Sequence, residues 1–316
     1  MHQFNEHHPE FKGFSDRFEQ FVRPTLKVRD AVRQRAVKHG LIAAAVIAVL
    51  GVSVSLWVGF MVRPDSFLPI VMPALFGPFL GLMAFLGLTD KIRSETKSHI
   101  VGAVMDHIGW TFETQVPFFD LTPYKVHYLL TKTYHRSSFE DRMYGQAHGA
   151  QFESVEAHLE ERSRSDKGGD KWTTVFRGQL MRIDFPTKTF GRTVVLRDQG
   201  WFNKKRRGDM KRVGLVDPTF EKAFEAYGTD QVEARVILEP SFMQRMVDLE
   251  RSVDGRKIRF AFAENDLFIA VETANRYEAG SMFQPLDQPE RTQRILNEVG
   301  AIYDIVDALV KPTGSA

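Results

Sequence analysis

The sequence predicts a two-helix transmembrane hairpin joined to a cytoplasmic α+β domain with a mainly antiparallel sheet. Three observations carry that prediction. Two charge-free apolar runs, residues 40–62 and 68–88, stand close together. Lysine and arginine crowd the outer flanks of the pair and nearly vanish between them. Beyond Trp110 the apolar spacing changes from helical to alternating in several short runs, with helical patterns interspersed.

The first run, "GLIAAAVIAVLGVSVSLWVGFMV", is long enough at 1.5 Å per residue for about 34 Å of helix. That covers a hydrocarbon core of about 30 Å. Its dozen or so Leu, Ile, Val and Phe residues favour insertion by roughly 4–7 kcal/mol. The second run, "LPIVMPALFGPFLGLMAFLGL", carries Pro69, Pro73 and Pro78. Pro69 suits a first helical turn, where a missing N–H has no partner to lose. Pro73 and Pro78 free the carbonyls of Pro69 and Ala74, which membrane helices tolerate when a neighbour covers them. Gly51, Ser55 and Gly59 on the first helix, and Gly77 and Gly81 on the second, form small ridges that let backbones approach. They are the expected helix-packing residues, and a re-entrant loop is the alternative.

Orientation follows from charge. Arg23, Lys27, Arg29, Arg33, Arg35 and Lys38 precede the first run, Lys91, Arg93 and Lys97 follow the second, and Arg63 alone lies between. The positive-inside rule then places both termini in the cytoplasm of a multi-pass cell-membrane protein. The first apolar run begins too late for a signal peptide, and "VGFMVRPDS" has no small-x-small cleavage site.

Residues 1–39 read as a cytoplasmic amphipathic and basic arm. Phe11, Phe14, Phe18 and Phe21 fall at helical spacing, which predicts a helix ending near Pro24. It is expected to pack on the soluble domain or the C-terminal helix, with the bilayer surface as the alternative. His2, His7 and His8 read as incidental residues of a frayed terminus. Ile92, Thr96, Ile100, Ala103, Val104 and Ile108 share a face and predict a juxtamembrane helix over 89–109 that continues the second span.

Residues 110–316 predict the α+β domain. "QFESVEAHLEE", "WTTVFRGQLMRIDF", "GRTVVLRD", "DQVEARVIL", "KIRFAFA" and "LFIAVET" read as strands, with Asn265-Asp266 as a tight turn between the last two. Asp217-Pro218 opens a helix "PTFEKAFEAY", and Pro240 opens another, "PSFMQRMVDLERS". Ile295, Val299, Ile302, Val306 and Leu309 form the stripe of a long C-terminal amphipathic helix.

The phrases "FEDRMYGQAHGAQFESVEAH", "VFRGQLMRIDF", "FGRTVVLRD", "VDPTFEKAFEAYGTDQVEARVILEPSFMQRMVDL" and "IRFAFAENDLFIAV" resemble the bacterial membrane-anchored family catalogued as domain of unknown function 3137. The resemblance implies a basic arm, two close spans and a soluble domain in that order. It implies no activity, and no catalytic residue carries over.

Composition narrows the chemistry. A net charge of +2 gives no argument for nucleic acid. The absence of cysteine removes disulfides, thiol catalysis and cysteine metal sites, and agrees with a reducing compartment. No GxSxG, HExxH, GxGxxG or calcium-loop pattern occurs. "KGGDKWTT" lacks phosphate-loop spacing and reads as a hairpin tip. No cofactor or metal is expected.

The densest polar group is Glu140, Asp141, His148, Glu153, Glu156 and His158. Glu140, Asp141, Glu156 and His158 are the catalytic candidates of a metal-assisted reading. Glu156 and His158 share a strand face about 7 Å apart. That face reads equally as a solvated surface, and Asp141 as a turn or cap residue. The sharpest charge run gives the lipid-binding candidates Trp201, Lys204, Lys205, Arg206, Arg207, Lys211 and Arg212. Each cation near anionic headgroups contributes about 1 kcal/mol.

The resulting expectation is a non-enzymatic membrane protein that presents a binding or scaffold domain to a protein partner or an anionic lipid surface. A membrane-tethered metal-assisted hydrolase, and a subunit of a larger membrane complex, are the alternatives.

Overall fold

The computed structural model describes residues 2–6, 8–62, 68–164, 169–184, 191–197, 208–252, 257–273 and 284–310. The chain divides into two compact units. One is Met1–His107 with Tyr277–Leu296, the other Ile108–Arg276 with Asn297–Ala316.

The first unit begins with a 3-10 turn (Pro9–Phe11), a short helix α1 (Phe14–Arg17), a π-helical turn (Phe18–Val22) and then α2 (Arg23–Trp57). The helix expected to end near Pro24 does not end there. Proline lacks an N–H, and its ring crowds the carbonyl four residues back. The π turn just before Pro24 widens the ladder where that bond is missing. It also rotates the phase. Phe11, Phe14 and Phe18 are buried, whereas Phe21 is 67% exposed. The expected single phenylalanine stripe therefore breaks at its last member. Arm and first apolar run are one continuous helix.

α3 (Leu68–Ile108) runs without interruption through the second apolar stretch and the juxtamembrane segment, with Pro73 and Pro78 inside it. It ends at Gly109, whose φ of +77° suits the left-handed stop after a helix. Among the described residues one helix, Pro9–Met61, is long and apolar enough to cross a membrane, and little of its apolar window is buried. Val71–Gly87 is a shorter apolar stretch. The unit's core outside these runs holds Phe4, Phe14, Phe18, Leu26, Ile100 and Ile295. Phe4 meets Phe18 edge-on at 4.8 Å.

The second unit is built on a nine-stranded sheet: β1 (Thr111–Val116), β2 (Arg136–Ala147), β3 (Ala150–Arg164), β4 (Asp170–Asp184), β5 (Thr193–Arg197), β6 (Lys211–Arg212), β7 (Phe224–Gly228), β8 (Ile258–Ala263) and β9 (Asp266–Glu272). Their spatial order is β1-β2-β3-β4-β9-β8-β5-β7-β6, and every pairing is antiparallel. α4 (Thr122–Val126) lies between β1 and β2, and α5 (Pro218–Ala223) between β6 and β7. α6 (Gln231–Ile237) and α7 (Pro240–Ser252) precede β8, and α8 (Pro289–Val310) closes the chain. The unit is α+β, as its mixed patterning predicts.

Both sheet faces are covered. On one face Val155, Ala157, Leu180, Ala261 and Ala270 pack with Tyr124, Leu129 and Leu130 from the α4 segment. On the other, Phe220 meets Phe224, Phe224 meets Phe260, and Phe242 of α7 meets Phe262. At its far end Trp110 lies edge-on to Phe152 and stacks on Tyr303 of α8.

Three element assignments differ from expectation. "DQVEARVIL" is not a strand but α6. Asp230 accepts the N–H groups of Val232 and Glu233, which commits the segment to a helix. The apparent alternation was a three-residue repeat, with Ala234 and Ile237 buried. The helix after Pro218 stops at Ala223, and Phe224–Gly228 is a fully buried strand. The turn between β8 and β9 is Glu264-Asn265, with φ of 55° and 69°, and Asp266 already pairs with Ala263.

Candidate functional site

The small residues of the two apolar helices bear on how their backbones approach. A Cβ built on Gly51 would lie 2.5 Å from the Pro73 carbonyl oxygen and 2.8 Å from the Gly77 Cα. One built on Gly77 would lie 3.0 Å from the Gly51 Cα, and one on Gly81 2.7 Å from the Ala44 oxygen. Ser55 is buried. Gly51 and Gly77 thus touch each other, while Gly81 touches Ala44. Gly59 lies in the π-helical turn Val58–Val62.

The acidic candidates sit in the sheet. Glu140 of β2, Glu156 of β3 and Gln179 of β4 occupy one register row. Glu156 and Gln179 are each only 2% exposed, so the face read as possibly solvated is an interior face. Asp141 is neither a turn nor a cap residue. It is the extra residue of a β-bulge between Glu140 and Met143, buried at φ +55°. His158 directs Nε2 at Thr174 Oγ1, 2.9 Å away, and lies 4.0 Å from Glu160 Oε1. His148 occupies the tight β2–β3 turn with Gly149, both at positive φ, and its Nε2 is 2.6 Å from Asp307 Oδ1. Glu140 and Glu156 are brought together, and His148 is not in their group. Among the described residues no set of three or more His, Asp or Glu side chains is placed to hold a metal ion.

Glu153 belongs to a different constellation. It lines an open cleft of about 480 Å³ with Arg142, Tyr144, Gln151, Arg182 and Asp184. The registers Tyr144↔Glu153 and Glu153↔Arg182 set these side chains side by side across three strands. Arg142 Nε donates to Glu153 at 2.6 Å and Nη1 to Glu113 at 3.2 Å. Arg182 lies 2.8 Å from Asp266. Burial works to lower the Arg142 pKa, but its carboxylate bonds raise it overall. The bond to Asp266 raises that of Arg182. Near this charge network, burial pushes the Tyr124 hydroxyl well above its ordinary value, so it stays protonated. An incoming ligand would have to replace Glu153 or Asp266 as the guanidinium acceptor, which favours a carboxylate-bearing or amide-rich partner. Sequence reading missed Arg142, Tyr144 and Arg182, since they converge only once residues 136–147 are recognised as a strand.

Lys211 and Arg212 form β6, pair with Gly228 and Tyr227, and are exposed. Trp201, Lys204, Lys205, Arg206 and Arg207 lie outside the described residues.

Residues 174–311 match the model of a protein family described as "Protein of unknown function (DUF3137)", in accord with the resemblance carried by the quoted phrases. No curated protein matches the chain. Among solved structures, the crystal structure of the mycobacterial trehalose monomycolate transport factor A, TtfA, is similar at 13% identity. It aligns over 70% of this chain and 98% of its own, with a TM-score of 0.31.

Proposed function

We propose that this chain, which matches the DUF3137 model over its C-terminal part, is a two-span membrane protein. On this reading it holds an α+β binding domain in the cytoplasm. One observation carries the reading: from Leu41 to Met61 the outer surface of α2 and the π turn after it is apolar and open, with Leu50, Leu56, Trp57 and Phe60 each more than half exposed. Water tolerates no such surface, and lipid does. The second span is supported by the order of close approaches. Gly40 meets Phe85, Ala44 meets Gly81 and Gly51 meets Gly77, so contacts advance on α2 as they retreat on α3. That order is what an antiparallel hairpin requires. With the lysine and arginine bias it supports both termini being cytoplasmic. A reporter active only in the cytoplasm, fused after Ala316, tests this. Activity is expected, and inactivity beside an active fusion at Arg63 would reverse the topology.

The domain offers binding surfaces rather than a reaction centre: a cleft with paired arginines, and an exposed basic strand. Lys211 and Arg212, with the basic run before them, support contact with anionic headgroups, which salt would weaken. Metal-assisted hydrolysis at Glu140, Asp141, Glu156 and His158 would require the buried acids to open to solvent. Divalent-metal-dependent ester or phosphate hydrolysis by the purified chain, lost in Glu156→Gln, would replace the binding reading.

A further inference from the structure

The π turn Phe18–Val22 and the start of α2 carry a second exposed apolar surface, N-terminal to the run read as membrane-spanning. Phe21, Val28 and Val32 are 67%, 71% and 51% exposed. At seven- and four-residue spacings they line one side of the helix. From Phe21 to Met61 the helix is about 60 Å long at 1.5 Å per residue, twice a hydrocarbon core of about 30 Å. If lipid covers Leu41 to Met61, Phe21 stands about 30 Å beyond it and Val28 about 20 Å.

The charge beside this stripe is basic. Arg23 pairs with Glu19 and Arg29 with Glu95. Lys27, Arg35 and Lys38 are exposed, and among the described residues no carboxylate pairs with them. Arg35 follows Val28 by two helical turns, on the same side; Lys27 and Lys38 lie together along one edge of the stripe. A second copy of the chain is a poor cover. Two copies inserted in one bilayer share an orientation, so a two-fold pair would set Arg35 against Arg35.

We propose that this stripe docks an amphipathic helix of a different protein, with an apolar seam for Phe21, Val28 and Val32 and one acidic edge for Lys27, Arg35 and Lys38. Such a helix would follow α2 out of the membrane, which makes the chain a subunit of a mixed complex. The inference rests on α2 being a membrane anchor.

The test uses the full chain in the membranes of cells that make it, with a photo-crosslinking residue at Phe21, Val28 or Val32. The expected result is one discrete protein adduct shared by all three positions, not matching the mass of two copies. It should be absent at exposed Ser94 of α3. Arg35→Glu should cut the Val28 adduct at least fivefold, with the chain still in the membrane fraction. An adduct of two copies, an equal adduct at Ser94, insensitivity to Arg35→Glu, or no adduct overturns the proposal. A second measurement isolates the lipid alternative. With no native cysteine, Val28→Cys takes one environment-sensitive dye, which in purified chain reconstituted in lipid discs should report water; an apolar signal there also overturns it. Failure of the chain to enter the membrane fraction would instead strike the anchoring reading.

Discussion

Asp30 of α2 accepts the backbone N–H of Leu286 at 2.9 Å, joining residues 256 apart in sequence. The same carboxylate receives Arg33 Nε at 2.7 Å and the Gln34 amide at 2.8 Å, and Asp30 and Arg33 are both buried. One side chain therefore fastens the segment before α8 to the N-terminal helix. Asp30→Ala would take a carboxylate from the buried Arg33 and orphan the Leu286 N–H. Loss of one partner of a buried pair costs about 3–5 kcal/mol. We expect a loss in that range, read by thermal unfolding in detergent and by faster amide exchange at Leu286. Unchanged exchange would show that the clamp is dispensable.

The same clamp predicts acid sensitivity. Burial works to raise the Asp30 pKa, but bonds from Arg33, Leu286 and Gln34 leave it lowered. Glu6 is similar: burial is outweighed by bonds from Ser15 and Gly13. A depressed folded-state pKa contributes stability that is complete above the unfolded value, about 4, and is lost as pH falls through the folded value. Melting of the first unit should be flat from pH 7 to about 5 and fall below about 4. Asp30→Asn should flatten the acid limb, and an identical limb in that variant would reject the assignment.

Gly51 and Gly77 leave no room for a side chain, because the obstructing atoms are backbone. Gly51→Leu should separate the helices and lower the melting temperature in detergent by several degrees. Val49→Leu, on the 64% exposed side, should do nothing. Equal effects from the two would mean that the contact is not structural.

Gly178 of β4 is a stricter case. At φ +151°, a Cβ there would fall 1.9 Å from the Val271 carbonyl oxygen of β9. Gly178→Ala must push apart the strands that join the two halves of the sheet. We expect a loss of more than about 3 kcal/mol, the upper end of overpacking costs, measured by denaturant unfolding. Asp141 offers a graded comparison at φ +55°. Asn should be tolerated best there and Val worst, by about 1–3 kcal/mol for backbone strain. A reversed order would show that the left-handed conformation is not what the site requires.

The apolar runs, the long C-terminal helix and the strands β3, β4, β8 and β9 were legible because their period is unambiguous over many residues. α6 was not. Val232, Ala234 and Val236 mimic alternation, and only the Asp230 cap separates helix from strand. β2 was hidden by its bulge, since Asp141 shifts the pattern by one residue. With β2 hidden, the convergence of Tyr144, Glu153 and Arg182 was hidden too. Glu156 is buried although its own strand alternates, and no local spacing reveals that. Phe21 was misplaced because one π turn rotates everything after it.

α8 is divided between the two units: Pro289 to Leu296 complete the first, and Asn297 to Val310 the second. During synthesis the apolar helices emerge early, yet both units wait for this last helix. A chain arrested before this helix would hold two incomplete cores at once. The C-terminal helix thus acts as a completeness check, and proteolytic quality control would have both units to act on whenever it is missing.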